Sequence, residues 1–513
     1  MAANGQEAPE AYSGAIVKGA VVNAMGIAGK AIVPVFFIIA AKLYGASAMG
    51  LFYLAYTMIT VAESLVSAGF NSGTVMYASR YLDDPSKEHE LYRILSNSFA
   101  ISLGVSLLLI LFTRVGGAQL ILAHYPQENL LSAVQRMTLA LPFIVTSTVV
   151  VAATKAHLTM KWDAIFFGFT RPILLTVFAL FFYLFEMGLE GLIIGYLMTE
   201  VTICAAALVV FGRYFSYGKL FGQIFRFRFS SALLWFAIPQ SLNTTFNTFI
   251  TNVDVIMLGY FGVDERMLWA YGMGSQVVRN IRQVKLALSG SFAPVVAKLH
   301  GKGDMDGMSE SFSMVTRWIT SIGLPLALVV VVLRLDLLRL FDSTYDGETL
   351  FMLLLLAPPL LSCCCGLAGN IIVMTGHSGW NLFNSATVAL VNVGLNLLLI
   401  PRFGIIGAAV ATVIASVAIS ALQLVEAKKL LGVGLIPARI YKPYLAVALP
   451  VAGILVAHLV GPAMGSLASR IAVAAVAVAL FFVGLLVLKV DERDRRILFP
   501  WLSGGAGKGG GGA

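Results

Sequence analysis

The sequence predicts an all-α integral membrane protein of about 14 transmembrane helices. They form two parallel six-helix repeats, an N-bundle and a C-bundle around a central cavity, followed by two extra C-terminal helices. Three observations lead there. Apolar runs of membrane length recur along the chain. Basic residues collect on alternate turns between those runs. Short motifs recur at a nearly constant offset.

The apolar runs come first. The chain is 58% hydrophobic and 12% charged, against about 25% charged in a soluble domain. A hydrocarbon core needs roughly 20 apolar residues as helix. Such spans fall at about 14–42, 48–72, 94–114, 128–153, 162–187, 189–211, 232–260, 265–290, 313–333, 349–375, 380–401, 404–428, 442–463 and 467–489. Residues 1–13 form a polar leading segment with no basic n-region, so no removable signal is expected. Residues 490–513 form a glycine-rich tail. Cys204 and Cys363-Cys364-Cys365 sit inside apolar runs and show neither metal spacing nor a disulfide framework.

The basic residues set the orientation. One side receives Arg80, Lys87, Arg93, Lys155, Lys161, Arg213, Lys219, Arg226, Arg228 and twelve more; the other receives only Lys42, Arg114, Arg266, Arg334, Arg339, Arg402 and Arg470. The positive-inside rule then puts both termini in the cytoplasm of a multi-pass inner-membrane protein. The net charge of +9 is spent in these short loops, so nucleic acid is not an expected partner. Membrane lipids are.

The repeat sets the architecture. Gly188-Leu189-Glu190-Gly191-Leu192 has a counterpart in Gly404-Ile405-Ile406-Gly407-Ala408, 216 residues on. Gly45 and Gly262 stand 217 apart, and Trp162 and Trp380 stand 218 apart. The halves are then 14–211 and 232–429, with the last two spans in 441–489 outside the repeat. Six spans is an even number, so the halves run parallel, as in transporters that bind substrate between repeats.

Ionisable groups at membrane depth cost several kcal/mol each on some scales. The cations at depth are Lys30, Arg136, Arg171, Arg279, Arg282 and Lys285; the acids are Glu63, Glu200 and Asp254. The cationic surplus favours an anionic cargo, and Arg suits bidentate phosphate contacts. Arg279, Arg282 and Lys285 are spaced i, i+3, i+6, an arc of about 120° on one helix face. The candidate substrate-binding set is Lys30, Glu63, Arg136, Arg171, Arg279, Arg282 and Lys285. Each has a plainer alternative. Lys285 can snorkel to the interface, Arg136 and Arg171 can be interfacial or paired with an acid, and Glu63 can neutralise Lys30. Asp254 admits three roles: salt-bridge partner of Arg279 or Arg282, ligand of a coupling cation, or hydrogen-bond acceptor. A sodium site would draw further oxygens from Asn252, Asn384, Thr387 and Asn392.

Several motifs carry a family resemblance. Leu43-Tyr44-Gly45-x4-Gly50-Leu51-Phe52 resembles the first outer loop of polysaccharide flippases. Pro401-Arg402-Phe403-Gly404-Ile405-Ile406-Gly407-Ala408-Ala409-Val410-Ala411-Thr412 resembles their IPxxGIxGAAxAT signature. Phe292-Ala293-Pro294-x3-Lys298-x4-Gly303-Asp304 and Arg317-Trp318 are similar to their connection between spans eight and nine. The resemblance covers residues 14–430. It is to the polysaccharide transport branch (O-antigen and oligosaccharidyl-lipid flippases) of the multidrug/oligosaccharidyl-lipid/polysaccharide exporter superfamily. It implies a non-enzyme that moves lipid-linked oligosaccharide across the cytoplasmic membrane by alternating access, for cell-surface polysaccharide such as lipopolysaccharide.

No cofactor is expected, only coupling to a Na+ or H+ gradient. A polysaccharide polymerase and glycosyltransferases would be its partners, and the chain itself would act as a monomer. The alternatives are a lipid II flippase and a multidrug/cation antiporter of the same fold. The antiporter's cationic cargo would want an acidic cavity. A membrane-embedded glycosyltransferase would ordinarily need a long loop with paired acids, and no loop exceeds about 25 residues.

Overall fold

The structure is a computed structural model. It describes residues 32–488 except 83, 128, 158–160, 226–227, 302, 365–366, 369–370, 372–377, 432–440 and 461–465. Among the described residues the secondary structure is helical throughout. The first half contains α1 (Ile32–Tyr44), α2 (Ala46–Tyr81), α3 (Pro85–Arg114), α4 (Gly116–His124), α5 (Leu130–Ala156), α6 (Lys161–Tyr183) and α7 (Gly188–Tyr214). A short helix, α8 (Tyr217–Phe225), leads to the second half. That half contains α9 (Ser231–Tyr260), α10 (Glu265–Arg279), α11 (Ile281–Gly301), α12 (Met305–Phe341), α13 (Leu350–Leu355), α14 (Ala357–Cys364) and α15 (Ser378–Leu431). Two more, α16 (Tyr441–Val460) and α17 (Leu467–Val487), follow.

Eight described helices are long and apolar enough to cross a membrane, and three shorter apolar helices join them. Some expected spans differ in form. The expected span 265–290 is broken at Asn280 into α10 and α11. The two expected spans 380–401 and 404–428 form one helical run, α15, interrupted at Gly404 with φ 54° and ψ −131°.

The duplication is visible in the backbone. Gly188 and Gly404 both lie at φ 54°, and Gly45 and Gly262 at 85° and 68°. Each turns the chain between two helices in a conformation that glycine adopts at little cost. Asp84 and Asp304 add a third correspondence. Each caps a helix start, accepting from the amides of Ser86 and Gly307.

Helices of the first half pack mainly on one another, as do those of the second, and the halves meet chiefly along α2 and α9. That seam is close. A Cβ on Gly69 would lie 1.9 Å from the Ala237 carbonyl oxygen, so only glycine fits there. The seam is tied at both ends. At the end bearing Gly45, Gln127 Nε2 donates to the Gly259 carbonyl at 3.0 Å, and His124 stacks on Tyr260. At the end bearing Asp84, the buried Asn97 donates to the Arg228 carbonyl and accepts from the Ser230 amide. The C-terminal pair packs on α12, with Phe481 and Ala446 buried against Leu324 and Leu328.

Candidate functional site

The second half holds a buried polar cage around Asp254. Asp254 sits about four-fifths of the way along α9 and is 8% exposed. Tyr271 Oη (α10) donates to Oδ2 at 2.6 Å, Asn396 Nδ2 (α15) donates to Oδ1 at 3.0 Å, and Thr412 Oγ1 donates to Oδ2 from beyond the Gly404 break. Asn392, one turn before Asn396, accepts from Asn396 at 2.8 Å and donates to Thr412 at 3.3 Å. Asn396 Oδ1 is buried and accepts no hydrogen bond among the described residues, an orphan acceptor of the kind a bound ion satisfies. The donor set is one carboxylate with amide and hydroxyl oxygens. It fits a monovalent cation better than a divalent one, which collects more carboxylates. No group of three or more His, Cys, Asp or Glu suited to a metal occurs among the described residues.

Arg279 lies next to this cage, within electrostatic reach of Asp254. Its Nη1 donates to the Thr251 carbonyl at 2.9 Å, one turn from Asp254. Its Nη2 donates to Tyr53 Oη of the first half at 3.3 Å. Lys285 reaches the other way, to Ser362 Oγ of α14 at 2.8 Å. Arg282 is exposed and makes no hydrogen bond or ion pair among the described residues. The expected one-face ladder therefore splits. The break at Asn280 separates Arg279, turned to the α2–α9 seam, from Arg282 and Lys285 on α11.

The first half holds a second charged cluster. Arg171 Nε donates to Glu200 Oε1 at 2.6 Å, with the Glu200 side chain 0% exposed. Glu200 Oε2 and Arg171 Nη2 are buried without hydrogen-bond partners among the described residues. Glu63 lies within electrostatic range of Arg171, as do Tyr56 and Tyr196, whose rings meet edge to face at 5.9 Å. A π-helical segment, Ala164–Thr170, immediately precedes Arg171. Such segments often mark functional positions.

Several expected site residues stand elsewhere. Arg136 pairs with Glu190 at 2.9 Å near the Gly45 end, with side chains 42% and 60% exposed. Asn252 turns to its own helix, donating to the Thr248 carbonyl. Asn384 donates to Glu426, twelve residues, or about 18 Å of helix, before Asn396. Thr387 is half-buried about 13 Å before Asn396 by the same measure. Glu63 neighbours Arg171, and Lys30 lies outside the described residues. The sequence reading missed Tyr271, Asn396 and Thr412 as partners of Asp254. The i, i+4 pair Asn392 and Asn396 in an otherwise apolar helix was the available signal.

Comparison with known proteins bears on the whole chain. A family model described as "Polysaccharide biosynthesis protein" matches residues 16–300, and one described as MatE matches residues 239–398. No curated protein matches the chain by sequence. Solved structures do match. A lipid II flippase MurJ in an inward closed conformation aligns over 94% of this chain and 99% of its own, with TM-score 0.67 and 13% identity. An inward-facing multidrug resistance MATE family transporter of the MOP superfamily aligns over 77% and 94%, with TM-score 0.63 and 13% identity. A MOP superfamily transporter from Pyrococcus furiosus, described as having a binding pocket of reverse polarity, aligns over 82% and 95%, with TM-score 0.57 and 14% identity. At such identities the likeness shows the fold.

Proposed function

Because the chain belongs to the polysaccharide biosynthesis protein family, within the multidrug/oligosaccharidyl-lipid/polysaccharide exporter superfamily, we propose that it is a flippase for polyprenyl-pyrophosphate oligosaccharide. On this reading it sits in the cytoplasmic membrane with both termini inside and supplies a polymerase with glycan for the cell surface. The Gly45 end is then the outer side. The observation that carries the reading is the state of Arg282. Its side chain is exposed and forms no hydrogen bond or ion pair among the described residues. Arg279 and Lys285 flank it along the chain. A free guanidinium of this kind suits a diphosphate, to which it can donate two parallel hydrogen bonds.

Work on the cargo follows from differential affinity. A carrier moves a bulky anionic head only if each state of the cavity holds it and lets it go. We assign the coupling ion to the Asp254 cage, where a monovalent cation would meet the orphan oxygen of Asn396 and the oxygens of Asn392 and Thr412. A drug exporter of this fold is the weaker reading, because a cationic cargo would be repelled by Arg282. A lipid II cargo shares the diphosphate, so the two must be separated by assay. Reconstituted protein would be given a fluorescent lipid-linked oligosaccharide and, separately, lipid II. Arg282→Ala should abolish translocation of the first while the protein inserts and purifies normally. Undiminished transport by Arg282→Ala refutes the cavity assignment, and transport of lipid II alone refutes the cargo.

A further inference from the structure

Three rows of side chains run along α9, separated by the helical turn. Leu233, Ala237 and Ser241 are buried against Gly69 and Gly73 of α2. Trp235, Ile238, Leu242 and Phe246 are exposed and apolar, the face that lipid covers. Gln240, Asn243, Asn247 and Thr251 form the third row, spaced i, i+3, i+7, i+11 and lying about opposite the lipid face. This row is polar at membrane depth, where polar groups face a bundle interior or a water-filled cavity. Asn247 is exposed, and Gln240 and Asn243 are half-buried. Amides inside a membrane bundle ordinarily bond across to a neighbouring helix. These do not. Asn247 Nδ2 donates to the Asn243 carbonyl at 2.9 Å and to Asn243 Oδ1 at 3.3 Å, within the same helix. Asn247 Oδ1, Asn243 Nδ2 and the Gln240 amide make no hydrogen bond among the described residues. The row therefore contributes open donors and acceptors rather than helix-to-helix bonds.

Its place is fixed by Arg279, whose Nη1 donates to the Thr251 carbonyl. From that anchor α9 and the α10–α11 pair both lead away from the turn after Tyr260. One turn on along α9 is Asn247, and one turn on beyond Arg279 is Arg282, so the two stand at about one depth. Beyond the anchor the helices pack on different neighbours, α9 on α2 and α15, α11 on α12 and α14.

We infer that Gln240, Asn243 and Asn247 form a subsite for the sugar carried next to the diphosphate, and that they read its neutral hydroxyl and amide groups. The inference rests on the diphosphate reading of Arg282 given above. In a lipid-linked glycan the first sugar is bonded to the diphosphate, so its subsite must adjoin the cation that holds the phosphates. A sugar hydroxyl both donates and accepts, and a carboxamide offers both kinds of partner. From Ser231 to Val253 the helix carries no charge, so this wall neither attracts nor repels an ion. The row from Gln240 to Asn247 rises about 10 Å, room for more than one ring.

The test measures binding of two probes to the purified full chain by titration calorimetry. One is geranyl diphosphate. The other is geranyl diphosphate esterified with a neutral sugar: glucose, galactose and N-acetylglucosamine in turn. The quantity read is the ratio of Kd for the bare probe to Kd for the sugar-bearing probe. In the parent it should be about ten for at least one sugar, the worth of one or two net hydrogen bonds. Asn243→Leu with Asn247→Leu should bring it to about one. Asn247→Thr, a gentler change for use where the leucine variant does not purify, should give an intermediate ratio. Arg282→Ala should weaken binding of both probes and keep the ratio. A ratio of one in the parent for all three sugars, or a ratio that survives the leucine variant, overturns the subsite and leaves the diphosphate reading in place. A ratio that the leucine variant abolishes, with both probes bound by Arg282→Ala as by the parent, upholds the subsite and overturns the diphosphate reading. Failure of the parent to bind either probe overturns both.

Discussion

Arg171 and Glu200 allow a prediction whose size follows from what surrounds them. Glu200 is 0% exposed and Arg171 only 18% by side chain. Removing one partner of a buried pair typically costs about 3–5 kcal/mol, because the other charge is left without compensation. Here the two single deletions should differ. Arg171→Met leaves both Glu63 and Glu200 facing each other across α2 and α7, so its cost should reach the upper part of that range, about 4–5 kcal/mol. Glu200→Leu leaves Arg171 with Glu63 still in range, and should cost about half as much. The double variant removes the costly pair together and should lose less than the sum by at least about 2 kcal/mol. Unfolding in mixed micelles under increasing SDS measures all three. Equal single costs would show that Glu63 does not reach Arg171, and additive costs would show that the ion pair is not an energetic unit.

Two further outcomes follow from the packing and the polar ends. Gly69→Ala should destabilise the protein by about 1–3 kcal/mol, since a Cβ 1.9 Å from a backbone oxygen forces α2 and α9 apart; a thermal midpoint equal to the parent's would refute the close seam. Asp342 concerns pH. Burial alone would raise its carboxyl, but hydrogen bonds from Arg266 and Thr344 outweigh that and hold it below the ordinary range. A carboxyl depressed on folding adds stability that is present above its unfolded value, about 3.9, and is lost as pH falls through its folded value. Asp342→Asn should therefore be less stable than the parent at pH 7 and converge with it as pH falls through the folded value of Asp342. A gap that stays constant with pH would disprove the linkage.

How far the chain could be read in advance depended on which force set each feature. Lipid demands apolar length, so the all-helical fold was legible, with eight helices of membrane-crossing length among the described residues, and the repeat was legible in its glycines, which the turns at Gly188 and Gly404 require. Helix ends outside the lipid layer were not. α2 continues to Tyr81, nine residues beyond the expected end at 72, because a helix that leaves the apolar layer loses the hydropathy signal but keeps its backbone hydrogen bonds. The break at Asn280 was hidden for a similar reason. No proline or glycine marks it, and the helical wheel that grouped Arg279, Arg282 and Lys285 assumed an unbroken helix. At the site, Asp254 stood out as an acid at depth. Its partners did not, because Tyr271, Asn396 and Thr412 come from two other helices and only the fold brings them to one carboxylate.

The repeat also explains why the charge is divided between two clusters. Glu63 and Arg279 stand 216 residues apart, Tyr56 and Tyr271 stand 215 apart, and Tyr196 and Thr412 stand 216 apart. These offsets lie within one residue of those of the glycine turns, 216 and 217, so these three pairs occupy corresponding places in the two halves. At one of those places the first half carries an acid and the second a base. A duplicated frame forces equivalent positions to equivalent depths, and it leaves the sign of the charge there free to diverge. The first half balances its own cation, since Glu200 is bonded to Arg171 and Glu63 is within reach. The second commits Asp254 to three neutral donors, so Arg279 is held by field and carbonyl rather than by an ion pair. A closed pair resists a change in charge, whereas a carboxylate satisfied only by neutral groups can accept a cation without first breaking a salt bridge.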